Sequence, residues 1–177
     1  AFIKSMRGSD PDAAVYYLAR MIEGGEDPLF IARRIMIAAS EDVGLADSGA
    51  LSVAVAAAEA VERVGMPEGG LILAHAALRI ALAPKSNSAC MALTRARTDL
   101  EKNGPLSVPD HLRDSHFPDA EKTGRGTGYK YPHDYPGSFV MQQYLAEVRQ
   151  FYVPLPHGNV ASLLRNLQEL REAAHGV

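Results

Sequence analysis

Asp10-Pro11-Asp12-Ala13-Ala14-Val15-Tyr16-Tyr17-Leu18-Ala19-Arg20-Met21-Ile22-Glu23-Gly24-Gly25-Glu26-Asp27-Pro28 is the stretch on which the fold turns. Proline at the first helical position loses no hydrogen bond, and an aspartate ahead of it can cap the free amides. The first Asp-Pro pair therefore predicts a helix from Pro11 to about Glu23, stopped by Gly24-Gly25. The second pair starts another, carrying Leu29, Phe30, Ile31, Ile35, Met36 and Ile37 and ending near Gly44.

Outward from there the same punctuation continues. Ser48 is placed to cap a third, alanine-rich helix that ends at Gly65. Pro67 is expected to open a fourth, closed by Pro84, and Ser86 to cap a fifth from Asn87 to about Lys102, closed by Asn103-Gly104-Pro105. Val53–Val61 and Leu71–Ala83 are apolar nearly all round, so each lies inside a bundle or under a partner. Of the 11 prolines, four precede residue 100 and seven follow from Pro105 on, so the second half is more irregular. Ser138 is expected to cap a short helix through Gln142-Gln143, and 144–153 fits neither helix nor strand. Asn159 caps a last helix with Leu163, Leu164, Leu167 and Leu170 inward. The fold class expected is all-α, as a helical bundle over 1–104 and an irregular Gly/Pro-rich extension with a closing helix over 105–177.

The chain has 177 residues and a net charge of −3, with a pI of about 6.1. A whole surface built for nucleic acid would be basic, so any such contact is a local patch. The single cysteine, Cys90, allows no internal disulfide and fits a reducing, cytoplasmic setting. It has no base beside it in sequence and reads as an inert thiol. No apolar run is long enough to span a bilayer, and no signal-peptide pattern opens the chain. Ala1 falls within a helical stretch, so a fragment of a longer protein is expected.

Four patterns invite chemistry. Gly124-Arg125-Gly126-Thr127-Gly128-Tyr129-Lys130 suggests a phosphate loop, but a P-loop needs Ser or Thr after the lysine, a strand before and a helix after. Here Tyr131-Pro132 follows. His111, His116 and His133 lie near four aspartates, without zinc-finger or His-Glu-x-x-His spacing, and ordinary turn hydrogen bonds are the expected use. The segment 122–133 has Lys122, Arg125 and Lys130 and no acid. With Tyr129 and Tyr131 interleaved and Tyr135 just after, it is a possible contact for a single strand, since cations hold phosphates and rings stack bases. Arg33 and Arg34 precede Glu41 and Asp42 at helical spacing. These four are expected to form a structural ion-pair network, the sharper alternative being an arginine that reaches a phosphate.

Several strings coincide with one family: Met6-Arg7-Gly8-Ser9-Asp10-Pro11-Asp12-Ala13-Ala14, Ala32-Arg33-Arg34, and Ala38-Ala39-Ser40-Glu41-Asp42-Val43-Gly44-Leu45-Ala46-Asp47. To these add Ala83-Pro84-Lys85-Ser86-Asn87-Ser88-Ala89, Val108-Pro109-Asp110-His111-Leu112-Arg113-Asp114, Gly128-Tyr129-Lys130-Tyr131-Pro132-His133-Asp134 and Gln142-Gln143-Tyr144-Leu145. Over nearly its whole length the chain resembles the C-terminal half of the replication-associated recombination protein A (RarA, or MgsA) family of AAA+ ATPases, whose eukaryotic counterpart is the Werner-helicase-interacting ATPase. It departs at Cys90, where an aromatic residue is expected, at Ser138, where glycine is usual, and at Ala146, where proline is usual.

The resemblance implies a fold like the helical collar of clamp loaders, holding a homotetramer together. It implies a DNA-stimulated ATPase acting in replication, recombination and repair at stalled forks, nucleoid-associated, with DNA and single-stranded-DNA-binding protein as partners. ATP and magnesium would belong to an N-terminal domain outside this chain, which itself would carry no catalytic, cofactor or metal residues. From the residues, three readings stand: an assembly module, a DNA-binding module using Lys122, Arg125, Tyr129, Lys130 and Tyr131, and an enzyme built on the three histidines.

Overall fold

The computed structural model describes residues 1–114 and 124–175. Among them every regular element is helical: α1 Phe2–Arg7, α2 Pro11–Glu23, α3 Pro28–Ala38, α4 Ala50–Val64, α5 Gly69–Leu82, α6 Ser88–Asn103 and α7 Val160–His175. The all-α class read from the sequence is the one found.

The local signals explain most starts. Asp10 Oδ1 accepts the Ala13 amide at 2.9 Å, and Asp27 accepts those of Leu29 and Phe30 at 3.0 and 3.1 Å. Both caps satisfy amides that the first turn leaves free. Two starts differ from expectation. Asp47, not Ser48, leads into α4: its Oδ1 accepts the Gly49 amide at 3.0 Å and its carbonyl accepts that of Ala50. Pro67 sits in a turn after a cis Met66–Pro67 bond, and α5 begins only at Gly69, whose amide reaches back to Gly65 O at 2.7 Å. The second helix also ends earlier than expected. After Ala38 the chain widens into a π turn, Ala39–Val43, then a 3-10 turn, Gly44–Ala46.

The chain groups into two compact units, Ala1–Thr94 with Tyr152–Ala161, and Arg95–Phe151 with Ser162–Val177. In the first, α5 is the central element, touching α1, α2, α3 and α4. Met6, Ile31, Ile35, Val43, Leu73 and Ile80 are fully buried. Ala14, Ala54, Ala76, Ala77 and Ala81 are buried too, and their small side chains let the helix axes approach. The segment 152–161 is tied to this bundle by Val160, which is fully buried, and by the Asn159 amide on Ala46 O at 2.9 Å. Gly158, at φ +53, lies so close to the Ala46 carbonyl and the Pro84 ring that a Cβ there would collide with both.

In the second unit α6 ends at Asn103, followed by Gly104 at φ +73. Short 3-10 turns at Asp110–Leu112, Pro132–Asp134 and Pro136–Ser138 interrupt irregular chain. The short helix expected from Ser138 through Gln143 is absent: 139–144 has no regular structure, because its polar groups bond to side chains instead. On α7, Leu163 and Leu167 are exposed, against the expectation that all four leucines face inward; Leu164 and Leu170 are half-buried.

Candidate functional site

Three of the strings that carry the resemblance meet beside the π turn. Widening at Ala39–Val43 aims two successive carboxylates at α1, a geometry that π segments often supply at functional places. Arg7 Nε donates to Asp42 Oδ1 at 2.6 Å and its Nη2 to Glu41 Oε1 at 2.9 Å. Asp42 is 6% exposed, and its Oδ2 is buried without a hydrogen-bond partner. The hydrogen bond from Asp42, with its charge close by, holds the Arg7 guanidinium above the ordinary arginine value, so the pair is ionic over the whole accessible pH range.

Lys85 closes the cluster. Its Nζ donates to Ser9 Oγ at 2.9 Å, Ala81 O at 3.0 Å and Ala83 O at 2.6 Å. Desolvation pulls its pKa below the usual lysine value, and the charge of Asp42 opposes that shift. The Ser86 amide donates to Asp42 O at 2.8 Å, and the Ser86 and Ser88 hydroxyls share a buried bond of 2.9 Å. His157 Nδ1 lies 3.0 Å from Lys85 O; a carbonyl only accepts, so the ring nitrogen is the donor. Gly44, at φ +50, could not carry a Cβ, which would lie 2.7 Å from Ser86 O. Every cation here is spent on a fixed partner. The cluster is a staple joining α1, the π turn, the 83–88 segment and the returning 152–161 segment.

The ion-pair expectation is corrected in its partners. Glu41 and Asp42 pair with Arg7, because the π turn carries them off the face that a continued helix would share with Arg34. Arg33 pairs with Asp27 at 3.2 Å, both half-exposed. Arg34 makes no ion pair among the described residues and lines a groove with Lys4, Arg7 and Arg20. Arg7, which no spacing argument singled out, is the residue that sequence reasoning missed.

Lys122 and His116 lie outside the described residues. In the rest of the loop, Tyr129, Lys130 and Tyr131 are exposed, and the Tyr131 ring meets that of His133 at 5.1 Å. The Gln142 side chain clamps the Lys130 backbone, accepting its amide at 3.2 Å and donating to its carbonyl at 2.9 Å. That clamp fixes where Lys130 and its two tyrosines stand. Arg125 has an interaction of its own. The loop amides are used internally: Gly126 donates to Asp110 O at 2.8 Å, Thr127 to Gly124 O at 3.4 Å and Tyr129 to Gly126 O at 3.3 Å. A phosphate cradle needs such amides free, so this loop does not fit a nucleotide.

The histidines do not converge. His111 Nε2 donates to Gln143 O at 2.8 Å and His133 Nδ1 bonds Ser138 Oγ at 3.2 Å. Among the described residues no group of three or more His, Cys, Asp or Glu could hold a metal ion. Ser138, where the family usually has glycine, adopts φ +53, a conformation that costs a non-glycine residue roughly 1–2 kcal/mol. No helix among the described residues is long and apolar enough to cross a membrane.

Taken together, these features define an all-helical domain whose polar clusters organise the chain. It matches the family described as MgsA AAA+ ATPase C terminal over residues 8–171, and the chain belongs to that family. An AAA domain-containing protein of Mycobacterium tuberculosis is 51% identical over 175 residues, 97% of this chain and 38% of the relative. Replication-associated recombination protein A of Bacillus subtilis is 44% identical over 172 residues, 96% of this chain and 41% of the relative. The ATPase WRNIP1 of Dictyostelium discoideum is 41% identical over 159 residues, 90% of this chain and 17% of the relative. The chain thus spans about two fifths of the first two relatives, and the family expected from the sequence strings is the family found.

Proposed function

We propose that this chain is the homotetramerisation module of a DNA-dependent AAA+ ATPase that acts in replication, recombination and repair at stalled forks. ATP hydrolysis, with its magnesium, is assigned to the remainder of the longer protein. The observation that carries the reading is the outer face of α5. Leu71 is 76% exposed and Leu82 is 69% exposed. With His75 and Leu78 between them they follow the i, i+4, i+7, i+11 rhythm of one helix stripe. On α4, Leu51 and Val55 are exposed one turn apart. Burying apolar surface releases about 25 cal/mol per Å², so such a stripe gains by meeting its copy in another subunit. Closed symmetry then limits the assembly to a fixed number of chains.

The double variant Leu71→Glu, Leu82→Glu tests this. Both side chains are exposed in the single chain, so the fold should tolerate the change. Sedimentation should show a fall to a species near 19.0 kDa with unchanged helical circular dichroism. A tetramer that survives both charges removes this face from the assembly. The alternative reading, contact with DNA through 122–135, is supported by the exposure of Tyr129, Lys130 and Tyr131 on a clamped backbone.

A further inference from the structure

A groove of about 630 Å³ lies among α1, α2 and α3. Its charged side chains are Lys4, Arg7, Arg20 and Arg34, and among the described residues no carboxylate lines it. In a chain of net charge −3, four cations around one concavity form a strong local exception. Arg7 is committed to Glu41 and Asp42 on the groove's edge. Lys4, Arg20 and Arg34 make no ion pair among the described residues. Uncompensated like charges held close repel one another, and an anionic ligand relieves that repulsion.

The aromatic lining narrows the ligand. The Arg20 guanidinium lies 6.0 Å from the centre of the Tyr17 ring, and Phe30, partly exposed on the opposite wall, has Arg33 at 6.0 Å. Cations interleaved with ring faces suit a chain that alternates phosphates with flat bases. An acidic polypeptide would use the cations and leave the rings idle. We propose that this groove binds a single-stranded nucleic acid, with Lys4, Arg20 and Arg34 on its phosphates and Tyr17 or Phe30 against a base. The site is separate from the 122–135 loop and does not depend on the assembly reading.

The test is fluorescence anisotropy of a labelled oligothymidylate titrated with the full chain across a salt series. It is compared with the triple variant Lys4→Gln, Arg20→Gln, Arg34→Gln and with the single variant Arg20→Gln, whose site is exposed. The triple variant should weaken binding at low salt by at least about tenfold and flatten the log–log salt dependence by roughly 0.7 per cation removed. Arg34→Lys should keep most of the binding, and thermal melting should show each variant folded. The proposal is overturned if the unaltered chain does not bind, or if the triple variant binds with the same affinity and slope. It also fails if only the loop variant Arg125→Gln, Lys130→Gln loses binding, or if oligoglutamate displaces the strand equally well at matched charge. The mass of the triple variant should equal that of the unaltered chain, so a failure here leaves the assembly reading standing.

Discussion

Lys85 shows how one side chain can hold a junction and also oppose it. Its three hydrogen bonds satisfy two backbone carbonyls and Ser9, while partial burial disfavours its charge. Because the folded value lies below 10.5, the folded lysine loses its proton first as pH rises. Between that folded value and 10.5 the unfolded chain binds more protons, so the contribution of Lys85 to stability grows with pH and levels off above 10.5. Replacing it, as in Lys85→Met, leaves the Ala81 and Ala83 carbonyls without this donor and should cost on the order of 1 kcal/mol. Denaturant unfolding at successive alkaline pH values should show the gap between the two proteins widening toward 10.5, and a narrowing gap would contradict this. Neither Lys85 nor Arg7 was legible as part of a site, because their partners lie far along the chain. Glu41 and Asp42 were legible as ion-pair residues, but the π turn that chose their partner was not.

Helices whose boundaries are written in neighbouring residues were read well. Asp10-Pro11, Asp27-Pro28, Ser86 to Ser88 and Asn103-Gly104 mark starts and stops of α2, α3 and α6 through local hydrogen bonds and fixed φ angles. The starts of α4 and α5 were misplaced because there a turn competes with the capping residue. The second half was read only as irregular, and rightly so; its organisation rests on long-range side-chain bonds such as Gln142 on Lys130, which leave no periodic mark. On α5 the two faces should behave differently. Ile80→Ala, in the fully buried face, should cost about 2–5 kcal/mol. Leu82→Ala, on the exposed face, should stay within about 0.5 kcal/mol in the separated chain. Equal losses in chemical denaturation at low protein concentration would mean that the outer stripe already serves the monomer's core.

At the scale of the whole molecule, two kinds of surface stand out against an acidic, otherwise ordinary exterior. An apolar stripe on α5 is suited to a copy of the same chain, and a basic, aromatic groove among α1, α2 and α3 is suited to a strand of nucleic acid. Their separation lets assembly and nucleic-acid contact be altered independently. The class and the family could be read from the sequence because long strings survive in order. The groove could not, since Lys4, Arg20 and Arg34 come from three helices and no spacing unites them. The most direct measurement is the mass of the chain in solution, by sedimentation over a concentration series. A tetramer of 19.0 kDa chains, about 76 kDa, is the expected result; a monomer at every concentration would contradict the assembly reading.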